Sequence, residues 1–298
     1  MKAGELGIRI NPEGVVFVFP NIAGFVGGDT VSVVLATGLF QSEEIKLMVD
    51  IGTNGEIVLG NRQRLLAAST AAGPAFEGAR ISQGMRASPG AIEKVVINEE
   101  VTINVIGAIA PSGICGTGLI DAIAGMLEAG IIDESGRMVP RSALEGRISA
   151  SLLRRVREEG TDRKFLLVEE EFAQNKRPIF ITQKDVRELQ LAKGAIAAGI
   201  RILEKELGLE DKDISQVLLA GAFGNFIRRR QAKRIGLIPD LPSERIKFIG
   251  NAASSGAKLA LLSGELKKEA EAIARETEYI DLSSRPDLLD EFTEAMAF

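Results

Sequence analysis

Ile45-Lys46-Leu47-Met48-Val49-Asp50-Ile51-Gly52-Thr53-Asn54-Gly55-Glu56-Ile57-Val58-Leu59-Gly60 reads as a strand, a tight Gly-Thr-Asn-Gly turn and a second strand. Asn54-Gly55 between apolar runs predicts a β-hairpin, because both residues tolerate positive φ. The hairpin does not account for Asp50. A carboxylate ending an apolar run is costly to bury unless a cation or hydrogen bonds compensate it. Beside it lie a threonine hydroxyl and a turn with exposed backbone N–H groups, which suits a phosphate carrying Mg²⁺. A plain structural hairpin explains the turn equally, so the stretch alone leaves both readings open.

The 298 residues are 45% hydrophobic and 26% charged, enough for one large domain or two lobes. A formal net charge of −5 argues against nucleic acid as the main partner. The one dense basic run, Arg228-Arg229-Arg230 with Lys233 and Arg234, reads as a solvated helix face. No apolar run has membrane-spanning length and the N-terminus lacks a signal-peptide layout, so the expected compartment is the cytoplasm, without a membrane partner. The chain has no His, which excludes a Ser-His-Asp triad, a His-ligated metal and an imidazole base. Cys115, the single cysteine, cannot hold an iron–sulfur cluster or an intrachain disulfide and reads as a small buried side chain. Chemistry must therefore draw on carboxylates, Lys, Arg, hydroxyls, backbone amides and a bound metal.

Upstream of the hairpin, Gly14–Phe19 predicts a strand. The small residues of Ile22–Asp29 then allow either a ligand or a neighbouring helix to approach closely, and Thr30–Leu39 has helical content. Downstream, Arg64–Ser69 predicts a third strand. In Gly73-Pro74-Ala75-Phe76-Glu77-Gly78 a loop, a Pro and an acid suit a helix N-terminus, as an anion site or an ordinary capped start. Residues 91–110 predict a two-strand meander, Ile114–Asp121 opens a helix to about Ala129, and a short helix is expected near Ala150–Glu159. Phe165–Glu171 and Pro178–Thr182 read as strands. Thr182 with Asp185 forms a capping-box variant opening a long helix that Gly208 closes. Its apolar stripe is Val186, Leu189, Ala192, Ile196, Ile200 and Leu203; Gln190, Lys193 and Arg201 fall on other faces, which by itself reads as solvent exposure. Gln216–Ala220 and Arg245–Ile249 predict buried strands, each followed by glycines where α/β sheets place ligands. A strand at Tyr279–Leu282 and a helix from Pro286 to Ala295 complete the chain.

Three antiparallel strands, a long insertion, then helix, strand, helix, strand, helix is the layout of an α/β, ribonuclease-H-like lobe. With Pro20–Asp29, Asp50–Glu56, Ala67–Gly78, Gly116–Asp121, Thr182–Ala195, Leu219–Asn225 and Gly250–Ala257, the chain resembles the actin, seventy-kilodalton heat-shock chaperone and sugar-kinase superfamily. Within it, the chain is similar to the C-terminal ATPase domain of reductive activators of corrinoid proteins. The resemblance implies a domain spanning 1–298, with its core at about 20–72 and 183–298 and an α+β insertion at about 73–182. It makes Asp50-Ile51-Gly52-Thr53-Asn54-Gly55-Glu56 the second phosphate loop and Leu219-Ala220-Gly221-Ala222-Phe223-Gly224-Asn225 the adenosine motif. Asp50 would hold Mg²⁺ through water and polarise the attacking water, and Thr53, Asn54 and Gly55 would donate to the β- and γ-phosphates. Gly221, Ala222, Gly224 and Asn225 would meet the adenosine, with Gly73, Glu77, Gln190 and Lys193 near base and ribose. Pro20–Asp29 and Gly250–Ala257 would form the connecting helices between lobes.

The resemblance further implies ATP and Mg²⁺ as ligands. The partner would be a corrinoid iron–sulfur protein, or a corrinoid methyltransferase component, returned from Co(II) to Co(I) for methyl transfer. Only one Asp-x-Gly-Thr hairpin is present, so half of an ATP site and the C-terminal half of a larger activator are expected, with the iron–sulfur cluster on a missing N-terminal domain. Homodimerisation stays open. So do two other functions, a non-catalytic nucleotide-dependent interaction module and a small-molecule kinase of the same superfamily.

Overall fold

The hairpin forms the centre of a six-stranded sheet. In the computed structural model, which describes residues 1–221 and 227–298, the strands are β1 (Lys46–Ile51), β2 (Gly55–Gly60), β3 (Leu65–Thr70), β4 (Ala91–Ile97), β5 (Val101–Val105), β6 (Gly113–Ile114), β7 (Val156–Glu159), β8 (Asp162–Val168), β9 (Ile179–Thr182), β10 (Gln216–Ala220), β11 (Ile246–Gly250) and β12 (Glu278–Tyr279). The helices are α1 (Gly28–Thr37), α2 (Gly116–Glu128), α3 (Arg141–Leu144), α4 (Ala150–Arg155), α5 (Gln183–Leu207), α6 (Arg229–Arg234), α7 (Ala252–Leu262), α8 (Gly264–Glu276) and α9 (Leu288–Met296). The main sheet runs β11-β10-β1-β2-β3-β12. β1, β2 and β3 are antiparallel neighbours, β10 lies parallel to β1, and β11 lies parallel to β10. This is the ribonuclease-H-like order expected from the sequence.

Strand alternation divides the apolar residues between two cores. Leu47, Val49, Ile57, Leu59 and Leu219 face α5 through Val186, Leu189, Ile196 and Leu203. Met48, Val58, Ala67, Leu218 and Ala220 face α1, α7 and α8 through Val31, Val34, Ala260 and Ile273. Helices on both faces explain why the strands are nearly continuously apolar. Each buried Leu, Ile or Val contributes roughly 2 kcal/mol.

α5 starts as its sequence dictates. Thr182 accepts from the Asp185 N–H, Asp185 accepts from the Thr182 N–H, and Gly208 closes the helix at φ +65°. Residues 73–182 carry two small sheets, β5-β4-β6 with α2, and β7-β8-β9. The expected first connecting helix, Pro20–Asp29, is not helical before Gly28; it is α1 that meets the expected second one, where Ser32 Oγ donates to Ala253 O at 2.5 Å and Gly256 lies against Ser32. Cys115 is buried, its thiol against Ile92 O at 3.3 Å.

Several expectations are corrected. Gly14–Phe19 is not a strand; Val15 makes only an isolated bridge to Lys2. The short helix stops at Arg155, and Val156–Glu159 pairs with β8 instead of continuing it. The turn between β1 and β2 also differs. Neither Asn54 nor Gly55 has positive φ, and Gly55 is the first residue of β2, paired with Ile51. Glycine is needed at 55 for proximity: a Cβ there would lie 2.8 Å from both Ile196 Cγ1 and Thr70 Oγ1. Gly55→Val is therefore expected to push α5 off the sheet and cost about 1–3 kcal/mol, read as a lower urea midpoint at unchanged slope in a denaturation titration.

Candidate nucleotide site

β1 and β10 run parallel in register, with Asp50 opposite Ala220. Both strands therefore end at one level, and the residue after β10 turns across the end of β1. That residue is Gly221, at φ +90°, and a Cβ on it would lie 2.6 Å from Asp50 Oδ1 and 2.8 Å from Ile51 O. The carboxylate of the hairpin and the start of the glycine segment thus meet at the ends of β1 and β10. Ala222, Gly224 and Asn225 lie outside the described residues.

Asp50 stands opposite Glu56 across the antiparallel pair, on the α1 face of the sheet by strand alternation. Burial pushes the Asp50 carboxyl up from its ordinary value, with Asp29 near the N-terminus of α1 adding to the rise. Glu56 is pushed up to about 7, first by burial, then by Asp50 and Asp29, against a smaller opposing effect of Ser69, whose hydroxyl donates to it at 3.3 Å. Asp29 was not singled out as a site residue in the sequence. Its acidic position at a helix start looks like ordinary dipole complementation.

The hairpin tip is tied to the loop after β3. Thr53 Oγ1 donates to Glu77 Oε1 at 2.5 Å, and the Gly73 N–H donates to Thr53 O at 2.8 Å. Gly52 N–H is taken by Asn54 O at 3.0 Å, while Thr53 and Asn54 remain exposed. Gly52, Thr53, Asn54, Gly73 and Glu77 are therefore joined by hydrogen bonds at the hairpin tip, while Gly55 is buried beneath them.

Gln190 and Lys193 are placed differently from a solvent-facing reading, being 1% exposed each. α9 and the residues after it cover this part of α5. Gln190 Nε2 donates to Ser135 O at 3.0 Å and Met296 O at 2.8 Å, while its buried Oε1 has no hydrogen-bond partner among the described residues. The Lys193 ammonium donates to Ala297 O and lies 5.0 Å from the Phe298 ring centroid. Burial lowers its pKa to about 8, with Arg201 adding to the effect. The helical periodicity of α5 alone could not reveal this, because the covering segment comes about a hundred residues later.

Among the described residues, no group of three or more Cys, Asp and Glu side chains is placed to hold a metal ion by itself. The donors fit a cation that arrives on a phosphate and keeps water, as Mg²⁺ does. The missing Cβ at Gly221 makes room for the Asp50 carboxylate and the Ile51 carbonyl.

The Glu56 titration has a definite sign. Its folded value near 7 lies above its ordinary 4.5, so the folded chain keeps a proton that the unfolded chain releases between those pH values. Ionised Glu56 thus costs stability as pH rises through that window. Glu56→Gln is expected to match the wild type below pH 4.5 and to melt at higher temperature at pH 8 without nucleotide, as thermal melts across pH will show.

Comparison with known proteins places the chain in a family. Residues 44–298 match the family described as the C-terminal domain of RACo, the ASKHA domain, and residues 1–42 match the RACo middle region. The chain is 41% identical over 293 residues to the corrinoid activation enzyme RamQ of Eubacterium limosum, covering 98% of this chain and 49% of that protein. It is 29% identical to the [Co(II) methylated amine-specific corrinoid protein] reductase of Methanosarcina barkeri, covering 84% of this chain and 45% of the relative. A solved structure of a reductive activator for corrinoid, iron-sulfur protein superposes with a TM-score of 0.86 at 42% identity, over 100% of this chain and 46% of that one. The chain spans about half the length of the relatives it matches. With its main-sheet order, its Asp50 hairpin and a match over 44–298, the chain belongs to the RACo C-terminal family, the actin-like ATPase domain of corrinoid activators.

Proposed function

We propose that this chain is the ATP-binding lobe of an activator that uses ATP to drive one electron uphill onto a corrinoid protein, returning Co(II) to Co(I) for methyl transfer. The observation that carries the reading is the close approach of Gly221 to the Asp50 carboxylate at the ends of β1 and β10. Names of the relatives, all activators or reductases of corrinoid proteins, supply the partner class. The electron would come from an iron–sulfur cluster held outside this chain, whose one cysteine cannot ligate it. No helix among the described residues is long and apolar enough to cross a membrane; a cytoplasmic location belongs to this same proposal.

In this reading Asp50 fixes the water shell of Mg²⁺, which when bound neutralises phosphate charge and polarises the attacked phosphorus. Asn54 and the backbone of residues 53–55 would donate to the β- and γ-phosphates. Thr53 joins them when its hydroxyl leaves Glu77, so Glu77 sets the position of the tip before nucleotide binds. Gly221, with Ala222, Gly224 and Asn225, receives the adenosine. Gln190 and Lys193 would contribute through the wall they form under the C-terminal residues. The domain division, with a core at about 20–72 and 183–298 around the 73–182 insertion, belongs to this same proposal.

Titration calorimetry with ATP and Mg²⁺ tests it. Binding is expected for the wild type and a loss of about tenfold or more for Asp50→Asn, since removing a group that bears on charged phosphate is worth upwards of 1.4 kcal/mol. No heat in either protein would favour a non-catalytic interaction module. Phosphate appearing on an added small-molecule acceptor rather than in water would indicate a kinase.

A further inference from the structure

Gln190 and Lys193 spend hydrogen bonds on the chain that ends α9 and follows it. Gln190 Nε2 donates to Met296 O at 2.8 Å, the Lys193 ammonium donates to Ala297 O, and the Phe298 N–H donates to Glu134 O at 2.8 Å. Residues 296–298 are thus held between α5 and the insertion by bonds on three successive residues, with the Phe298 ring 5.0 Å from the ammonium. The match is incomplete on the α5 side. Gln190 Oε1 is buried without a hydrogen-bond partner, and among the described residues the buried ammonium meets a carbonyl and a ring rather than a carboxylate. Burial leaves both groups short of compensation.

The course of α5 sets where they stand. Ile196 presses on Gly55, which pairs with Ile51 at the carboxyl end of β1, and Gly199 lies against Ile57, further into the sheet. Lys193 and Gln190, about one and two turns before Ile196, therefore lie beyond the strand ends, at the edge where Gly221 meets Asp50. Gly236 reaches the same spot, since a Cβ on it would lie 3.4 Å from Lys193 Nζ.

We propose that Ala297 and Phe298 form a strap that, without nucleotide, takes the place of the ribose on Gln190 and Lys193, so that nucleotide binds as the strap lifts. This rests on the ATP-lobe reading. The chemistry of the two side chains supports it. A carbonyl can accept but not donate, so the strap fills the site and still leaves the Gln190 amide oxygen unpaired. A vicinal diol does both: one hydroxyl donates to Gln190 Oε1 while an oxygen accepts from Lys193. The strap is also easy to release. Ala297 and Phe298 lie beyond the end of α9, and α9 itself is tied to α5 elsewhere, by Glu291 to Lys205 and Arg201.

The test uses the full chain. Phe298→Pro removes both the N–H that Glu134 O accepts and the ring beside Lys193. It is expected to let acetic anhydride acylate Lys193 about tenfold faster in the absence of nucleotide, read by peptide mass spectrometry. It is also expected to bind ATP·Mg²⁺ about tenfold more tightly by calorimetry, the gain from freeing a site that the strap closes in about nine molecules of ten. The wild type supplies a measurement that depends on no variant: saturating ATP·Mg²⁺ is expected to speed hydrogen exchange of the Phe298 amide. Faster acylation with unchanged or weaker affinity would make the strap a mere cover and overturn the inference. So would wild-type protein that binds ATP with Phe298 exchange unchanged, and either result would leave the ATP-lobe reading standing. Absence of ATP binding by both proteins would overturn that reading, and this inference with it.

Discussion

The parallel register of β1 and β10 is the constraint on which the rest depends. It sets Asp50 beside Ala220, and the chain can leave β10 across the end of β1 only if the next residue has no side chain. A Cβ at 221 would meet the carboxylate and the Ile51 carbonyl, and the local φ of +90° is one that side-chain-bearing residues rarely adopt. Burial and backbone geometry thus demand glycine at the same point. What results is a polar junction at the carboxyl end of strands whose faces are otherwise sealed by helices, the end at which open α/β sheets take ligands.

Sealing of the sheet explains the distribution of charge around it. α5 covers one face so closely that Gly55 and Gly199 each lie in contact with the opposing element, Gly55 against Ile196 and Gly199 against Ile57. Polar groups therefore gather at strand ends and on the α1 side, where Asp50, Glu56 and Asp29 repel one another. α9, packed along α5, does the comparable work for Gln190 and Lys193. It removes them from water and leaves the lysine in contact with a carbonyl and an aromatic ring instead of an acid.

Features set by neighbours in sequence were legible before the structure. The hairpin, the Thr182–Asp185 capping box, the Gly208 stop and the β10 run depend on local propensity and period, and they stand within a residue or two of their expected bounds. Long-range contacts were not legible. Nothing near Gly55 says that Ile196 will press on it, so its glycine reads as a turn residue. Lys193 reads as exposed because its cover is Ala297 and Phe298. Arg228 reads as part of a solvated basic face because its acid, Asp121, precedes it by more than a hundred residues. Val156–Glu159 continues a helical run in composition, but pairing with β8 overrides that propensity.

The crowding of acids gives the proposed site a direction. Without a cation, the chain meets the repulsion by holding a proton on Glu56 near neutral pH. Among the described residues the carboxylates make no metal cage by themselves, so a divalent cation would gain little from Asp50 and Glu56 alone. A cation carried by a triphosphate brings its own oxygen ligands and needs from the protein only an anionic wall and backbone donors. Such a complex would lower the cost of ionised Asp50 and Glu56, and binding would then release protons from the cleft. A free divalent ion or a metal-free nucleotide would each forgo half of that compensation, and the metal-free nucleotide would add its charge to the repulsion. In the proposed site, the same crowding would therefore favour the metal–nucleotide pair over either component.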